Sequence, residues 1–304
     1  MTSSTLLFHV GYHKTATTWL QNTVFQPEHG FTQVLDHPEI FKTIVNPHGL
    51  YFKAGLPRAL IAERVKAAPD SSASVVSLES LSGSPFSGGR ESDDFARRIA
   101  EISPGAKILI TIREQCRIIA SVYMQYLSRG GTEPAEQFFS GNKVEAFHGF
   151  DPRNFEYDRL VALYQSLFGA KNVLVLPFET IARDQAAALG VLGKFIQNPN
   201  LETWENRPPR AVSYPEIAVP ILRRINHFRP SPLNRAPFLN FGRAGEFAYR
   251  VAGGGVRRIF RTKNRPVTNL AVEKFSGQFR DSNRRLQAML AHPVDLSAYQ
   301  GIED

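Results

Sequence analysis

Residues 5–20 read Thr5-Leu6-Leu7-Phe8-His9-Val10-Gly11-Tyr12-His13-Lys14-Thr15-Ala16-Thr17-Thr18-Trp19-Leu20. The apolar run Thr5–Val10 stops at Gly11, the pattern of a buried strand that ends in a loop. From Thr17 to Phe25 the apolar residues Trp19, Leu20 and Val24 recur at helical spacing. The segment therefore predicts strand, loop and helix in immediate succession. The first N–H groups of such a helix have no partner within it, and together with the helix dipole they make the loop an anion site. Lys14 adds a full positive charge, and Thr15, Thr17 and Thr18 add hydroxyl donors. A phosphate or phosphosulfate group needs this set of donors.

Working outward, the alternation continues. Ser74–Leu78 (SVVSL), Lys107–Ile112 (KILITI, after Pro104 and Gly105) and Asn172–Leu176 (NVLVL) read as further buried strands. Helices are expected over Ile118–Leu127, over Arg159–Phe168 with Gly169 as the stop, and over Gln185–Ile196. Strands with continuous apolar cores, separated by helices, predict an α/β fold. Its expected form is a central parallel sheet flanked by helices, like that of P-loop nucleotide kinases. Beyond residue 201 the texture changes. Prolines 208, 209, 215, 220, 230, 232 and 237, and the triplet Gly253–Gly255, predict a mostly helical and loop C-terminal part. The expected division is an α/β core over 1–227 and a basic helical and loop extension over 228–304, packed on the core.

Composition sets the bounds. The chain has 304 residues, 42% hydrophobic and 21% charged, enough apolar material for a normal core. Its one cysteine, Cys116, excludes a disulfide framework and a cysteine-rich zinc site. No stretch approaches the roughly 20 apolar residues that span a bilayer. Met1–Val10 lacks a basic leader segment, so a cytoplasmic location is expected. Residues 1–200 hold 19 basic and 19 acidic side chains, and residues 201–304 hold 17 and 9, so the whole +8 excess lies in the last third. That excess suits an anionic partner, such as a charged glycan, a nucleotide, nucleic acid or a membrane surface touched peripherally, or else a solvated basic surface. Oligomeric state is not legible.

The triphosphate loop G-x-x-x-x-G-K-[ST] is not present: Lys14-Thr15 is there, but His13 takes the place of the glycine before the lysine. Gly11-Tyr12-His13-Lys14-Thr15-Ala16-Thr17-Thr18-Trp19-Leu20 instead resembles the 5′-phosphosulfate loop of sulfotransferases, where Lys-[Ser/Thr]-Gly-Thr-Thr-Trp-Leu is typical. Ala16 stands where glycine is usual. The resemblance implies that Lys14, Thr15, Thr17 and Thr18, with the backbone around Ala16, hold the phosphosulfate of 3′-phosphoadenosine 5′-phosphosulfate (PAPS). Trp19 would lie against the adenine, and an inward-facing core aromatic is the alternative.

A second segment resembles the same family. Arg113 ends the strand Lys107–Ile112, and Ser121 follows eight residues later. Thr111-Ile112-Arg113-Glu114, followed by Ile119-Ala120-Ser121-Val122-Tyr123, is similar to the family's 3′-phosphate signature. Arginine there supplies a charge-assisted contact and serine a hydroxyl. Glu114-Gln115 replace the usual Asp-Pro. Val173–Thr180 (VLVLPFET) resembles the family's late strand with its aromatic-glutamate pair. Asn206–Ser213 (NRPPRAVS) resembles the basic loop that closes over the donor in bacterial members, which adds Arg207 and Arg210 to the candidates.

The resemblance, which covers residues 5–227, implies a PAPS-dependent sulfotransferase that releases adenosine 3′,5′-bisphosphate (PAP), with no metal required. Lys14 would meet the charge developing on the leaving group. The attacking hydroxyl or amine needs a base. Glu79, ending Ser74–Leu78 at the carboxyl edge of the sheet, is the first candidate. Glu39, in His37-Pro38-Glu39-Ile40-Phe41, is the rival, and His13 and His48 are outsiders. A small-molecule kinase shares the strand–loop–helix start but would want glycine at 13 and an acidic magnesium ligand. A non-enzymatic anion-binding protein would explain the basic third but not the Lys14 and Arg113 segments. Nucleic acid is not an expected partner, and the acceptor is open, an anionic glycan among the options.

Overall fold

In a computed structural model the described residues are 5–69, 73–141, 148–206, 214–237, 239–259 and 264–302, with backbone alone for 255–259. The strands are β1 (Leu6–His9), β2 (Phe31–Gln33), β3 (Ala73–Ser77), β4 (Lys107–Ile112) and β5 (Val173–Pro177). The helices run, in chain order, α1 (Thr17–Trp19), α2 (His37–Ile40), α3 (Gly55–Ala67), α4 (Ser92–Ile102), α5 (Gln115–Ser128) and α6 (Ala135–Phe139). After these come α7 (Tyr157–Phe168), α8 (Phe178–Arg183), α9 (Gln185–Ile196), α10 (Val219–Asn226), α11 (Gly242–Ile259), α12 (Pro266–Phe275) and α13 (Arg280–Met289).

The chain folds as two compact units, each assembled from separate stretches. One comprises 1–114, 153–208 and 277–304, and the other 115–152 and 209–276. The first unit carries the sheet. All five strands are parallel, in the order β2-β3-β1-β4-β5. Leu7 lies opposite Val75, Phe8 opposite Ile108 and Leu109 opposite Leu174. The expected α/β fold with a central parallel sheet and flanking helices is the observed one.

The inner strands are apolar throughout because both faces are covered. On one face Leu7, Val75, Leu109 and Leu174 join Leu20 and Val24, in the helical turn Leu20–Val24 that continues α1, and Leu189 and Leu192 of α9. On the other, α7 lies against β4 and β5 and buries Leu160, Val161 and Tyr164. α9 spans the expected residues. Its N-cap Asp184 accepts from the Ala187 N–H (3.1 Å). α7 ends at Gly169, whose φ of 81° is the left-handed backbone glycine adopts without a Cβ penalty. β2 is the one strand the sequence pattern did not announce. It is three residues long and pairs only with β3, at the edge.

The stretch 277–302 folds with the sheet. Ser282 and Arg285 of α13 both donate to Asp158 of α7, at 2.5 and 2.6 Å. The second unit is helical among its described residues. α5 packs on α10 and α12, and α10 on α11. Tyr123, Tyr126, Phe138, Phe139, Phe150 and Phe275 form its aromatic core.

Candidate active site

In the strand order β2-β3-β1-β4-β5 the chain leaves β1 toward one edge of the sheet, and later elements extend beyond β4 toward the other. Loops that diverge in this way open a crevice outside the carboxyl ends of the central strands. Three candidate residues sit at those ends in the first unit. Lys14 follows β1, Arg113 follows β4 and Glu79 follows β3.

The loop after β1 is held by strand-like bonds that outlast the strand. Val10 donates to the Leu109 carbonyl (2.8 Å) and Tyr12 to that of Thr111 (2.9 Å). A Cβ on Gly11 would collide with Thr111 Oγ1 and come within 2.7 Å of His9 Nε2, so only glycine allows this approach to β4. Lys14 (φ 67°) and Ala16 (φ 69°) are both left-handed, which curls the backbone into a concave turn. The first intrahelical bond runs from the Leu20 N–H to the Ala16 carbonyl (3.0 Å). The N–H groups of Thr17, Thr18 and Trp19 therefore belong to the open start of the helix. Ala16 spends about 1–2 kcal/mol on its backbone conformation, a cost glycine would not carry.

Beneath the loop runs a buried polar chain whose protons can be assigned one by one. Thr15 donates to the Tyr12 carbonyl (2.5 Å). Its oxygen must then accept from Thr111 (2.7 Å), and Thr111 in turn accepts from His9 Nε2–H (3.2 Å). His9 Nδ1 is left as the acceptor for Ser77 (2.7 Å), whose oxygen accepts from Gln21 Nε2 (3.1 Å). The chain requires a neutral imidazole, and burial pulls the His9 pKa down to about 3. Three adjacent strands are thereby fastened to the loop, and aligned hydrogen bonds of this kind polarise one another. Sequence reading missed His9, Ser77 and Thr111. The available signal was a histidine, a serine and a threonine at fully buried strand positions.

Arg113 is positioned from three sides. Its Nη1 donates to the Lys14 carbonyl (3.3 Å), its guanidinium lies 4.5 Å from the centre of the Phe178 ring, and its own carbonyl accepts from Tyr157 (2.5 Å). Phe178 and Glu179 are the aromatic-glutamate pair after β5. Glu179 accepts from the Glu114 N–H (3.2 Å) and from Tyr299 (3.0 Å). The Lys14 ammonium is partly desolvated and has Arg113 nearby; both effects pull its pKa below the ordinary lysine value, against the attraction of Glu79. Glu79 opens a short helical turn tied to the loop. The Ser82 hydroxyl is 2.8 Å from the Glu79 carbonyl and 3.2 Å from that of Gly11. Glu79 Oε2 is buried with no hydrogen-bond partner among the described residues.

The other candidates differ in exposure and in what they bond. Thr15 and Thr17 are buried, and Thr18 is exposed. The Thr15 hydroxyl faces the polar chain, so only its backbone can serve an anion in the loop. Trp19 is half-buried on the core and meets Trp204 edge to face, centroids 5.8 Å apart. Glu39 is tied up: it completes a capping box with Asp36 and accepts from both terminal nitrogens of Arg64, Nη2 and Nη1, at 2.5 and 2.6 Å. These bonds, Arg64 first, hold its carboxyl at about 2. His13 is buried, and His48 Nδ1 accepts from the Leu50 N–H (3.3 Å) on the surface. Ser121 is half-buried on α5 in the second unit. Arg207 and Arg210 lie outside the described residues.

No family model matches the chain, and no curated protein matches it by sequence. Solved structures do. A sulfotransferase from Alicyclobacillus acidocaldarius is 17% identical, with 96% of this chain and 97% of that one covered and a TM-score of 0.51. The chain has the sulfotransferase fold. Two further solved structures of that fold are more distant. A sulfotransferase domain from the curacin biosynthetic pathway is 12% identical at TM-score 0.39, covering 90% of this chain and 98% of that one. A mouse sulfotransferase complexed with PAP is 16% identical at the same TM-score of 0.39, covering 94% and 88%. Within the sulfotransferase fold of this chain, the loop after β1, Arg113 and Glu79 share one edge of the sheet.

Proposed function

We propose that the protein is a PAPS-dependent sulfotransferase acting on an acceptor hydroxyl or amine. The observation that carries this reading is one piece of geometry. Lys14 and Arg113 are joined through the Lys14 carbonyl at the ends of adjacent strands, and Glu79, which acts electrostatically on Lys14, stands at the end of the third. Two cations beside a left-handed loop and a helix start suit a ligand with anionic groups at both ends. The residues present fit PAPS on that ground.

PAPS supplies an activated sulfo group. The acceptor atom forms a bond to sulfur while the bond from sulfur to the bridging oxygen breaks, and PAP leaves with the electron pair. Lys14 offsets the charge that grows on that leaving oxygen, and its lowered pKa eases proton sharing there. Glu79, at the carboxyl end of β3, takes the acceptor's proton. Glu39 is unsuited, because Arg64 and the Asp36 N–H already occupy both of its oxygens. Arg113, backed by Phe178, holds the 3′-phosphate. Ser121, Arg207 and Arg210 enter this reading by resemblance alone, as does an anionic acceptor.

Calorimetry with PAP, 5′-AMP and ATP–magnesium tests the proposal. PAP binding well above 5′-AMP is expected, since each charged contact contributes about 1.5–3 kcal/mol. Equal affinity for PAP and 5′-AMP, or preference for ATP–magnesium, sinks it.

A further inference from the structure

The second unit shows a surface the donor site does not use. α11 is apolar on two faces. Gly245, Tyr249 and Gly253 are buried, Tyr249 in a small core with Ala218 and Leu222. The opposite face presents Ala244, Phe247, Ala248 and Val251 to solvent, with Phe247 69% exposed and Val251 53%. At 3.6 residues per turn, Arg243 and Arg250 line one edge of that face. Before the helix start Leu239 and Phe241 are exposed as well, and Phe241 stacks on Phe228 (5.7 Å). Scattered exposed apolar residues are ordinary, but Phe247 and Val251 lie one turn apart with Ala244 and Ala248 on the same helix face, an apolar stripe that marks an interaction surface.

Charge identifies the partner. Residues 217–259 contain eight arginines, of which Arg229 is buried, and one acidic residue, Glu246. Glu246 is itself neutralised by Arg229 (2.7 Å) and Arg250 (3.2 Å). A second copy of the chain would set like charge against like. A soluble acidic polymer would match the arginines but leave the phenylalanines in water. An anionic bilayer surface satisfies both, because arginines meet the headgroups while Phe and Val enter the acyl boundary. No described helix is long and apolar enough to cross a membrane, so the contact lies in the interface plane.

We propose that the outer face of α11 docks the protein on anionic lipid. This is independent of the sulfo-transfer reading. Flotation of the whole protein with vesicles of phosphatidylcholine, alone or mixed with phosphatidylglycerol, is the test. Binding to the anionic vesicles only is expected, falling as salt shortens the Debye length from about 10 Å to about 3 Å. The double variant Phe247→Ser/Val251→Ser should partition about tenfold more weakly. Arg243→Glu should cost roughly fivefold or more. Both alter exposed positions, so circular dichroism melting and PAP affinity should not change. Any of four results overturns the proposal. These are no binding to anionic vesicles, equal binding to neutral ones, variants that bind like the parent, or retention on heparin without vesicle binding. A dimer in sedimentation velocity that Phe247→Ser disperses would assign the face to a second copy instead, and equally overturns it.

Discussion

Gly11→Ala is expected to damage the loop from below. The added methyl would collide with Thr111 Oγ1 and lie 2.7 Å from both His9 Nε2 and Thr17 Cγ2. None of these can simply step aside. Thr111 bridges Thr15 and His9, His9 is fixed by Ser77, and Thr17 is buried in the first turn of the helix. Overpacking costs about 1–3 kcal/mol, and displacing the two Thr111 hydrogen bonds adds about 1 kcal/mol each, so a loss of about 3–5 kcal/mol is expected. The assay is well defined, because both tryptophans, Trp19 and Trp204, belong to the sheet-bearing unit. Urea unfolding followed by tryptophan fluorescence should show a lower midpoint at unchanged slope. Thr111→Ala removes the worst contact, so the double variant should be less unstable than the sum of the singles, by about 1–3 kcal/mol. PAP binding should weaken in Gly11→Ala and partly return in the double variant. A Gly11→Ala protein as stable as the parent, with PAP affinity intact, would falsify the description of a loop seated on β4.

Further outcomes concern the site itself. Ala16→Gly should be neutral or stabilising by up to about 1 kcal/mol, because glycine escapes the left-handed penalty but carries more unfolded-state entropy; a loss above that range would mean the methyl group is used. Lys14→Ala should reduce turnover more than it weakens PAP binding, whereas Arg113→Ala should do the reverse; steady-state kinetics with saturating donor separates them. Glu79→Gln should keep PAP affinity and lose about 10²–10⁴-fold in transfer rate, and an active variant removes Glu79 as the base. Glu39→Gln should leave transfer untouched and change the acid limb of stability. The folded Glu39 carboxyl titrates at about 2 against 4.5 when free, so its contribution is present above pH 4.5 and is lost as pH falls toward 2. Acid unfolding curves of parent and variant should converge over that window; parallel curves would contradict the Arg64 pairing.

Much of the fold was written locally. The break from an apolar run to Gly11-Tyr12-His13-Lys14 announces a strand end, and helical spacing resumes at Trp19 and Leu20. KILITI carries its own boundaries in Pro104 and Gly105 before it and Arg113 after it, and it forms a strand over those six residues. α9 is framed by Asp184, whose side chain caps the first turn. Such signals are legible because hydrophobic periodicity and capping depend on neighbours within a few residues. β2 was not legible, since three edge residues leave too short a pattern. The arginine–phenylalanine contact at the site was also silent, because Arg113 and Phe178 come together only when β4 and β5 pair.

Residue order alone shows that β1 runs into a cationic loop and a helix, that buried parallel strands alternate with helices, and that the positive excess lies in the last third. It could not determine which carboxylate is already tied to an arginine. Glu39 and Glu79 both follow strands in sequence, but strand order puts β3 next to β1 and β2 one position further out, and Arg64 from α3 closes on Glu39. Nor could it show that the Thr15 hydroxyl turns inward to Thr111 or that His9 must stay neutral, or that two interleaved units share the chain. Each of these depends on groups far apart in sequence meeting where water is excluded. There a polar atom must find whatever partner the packing offers, and only the folded sheet fixes which one that is.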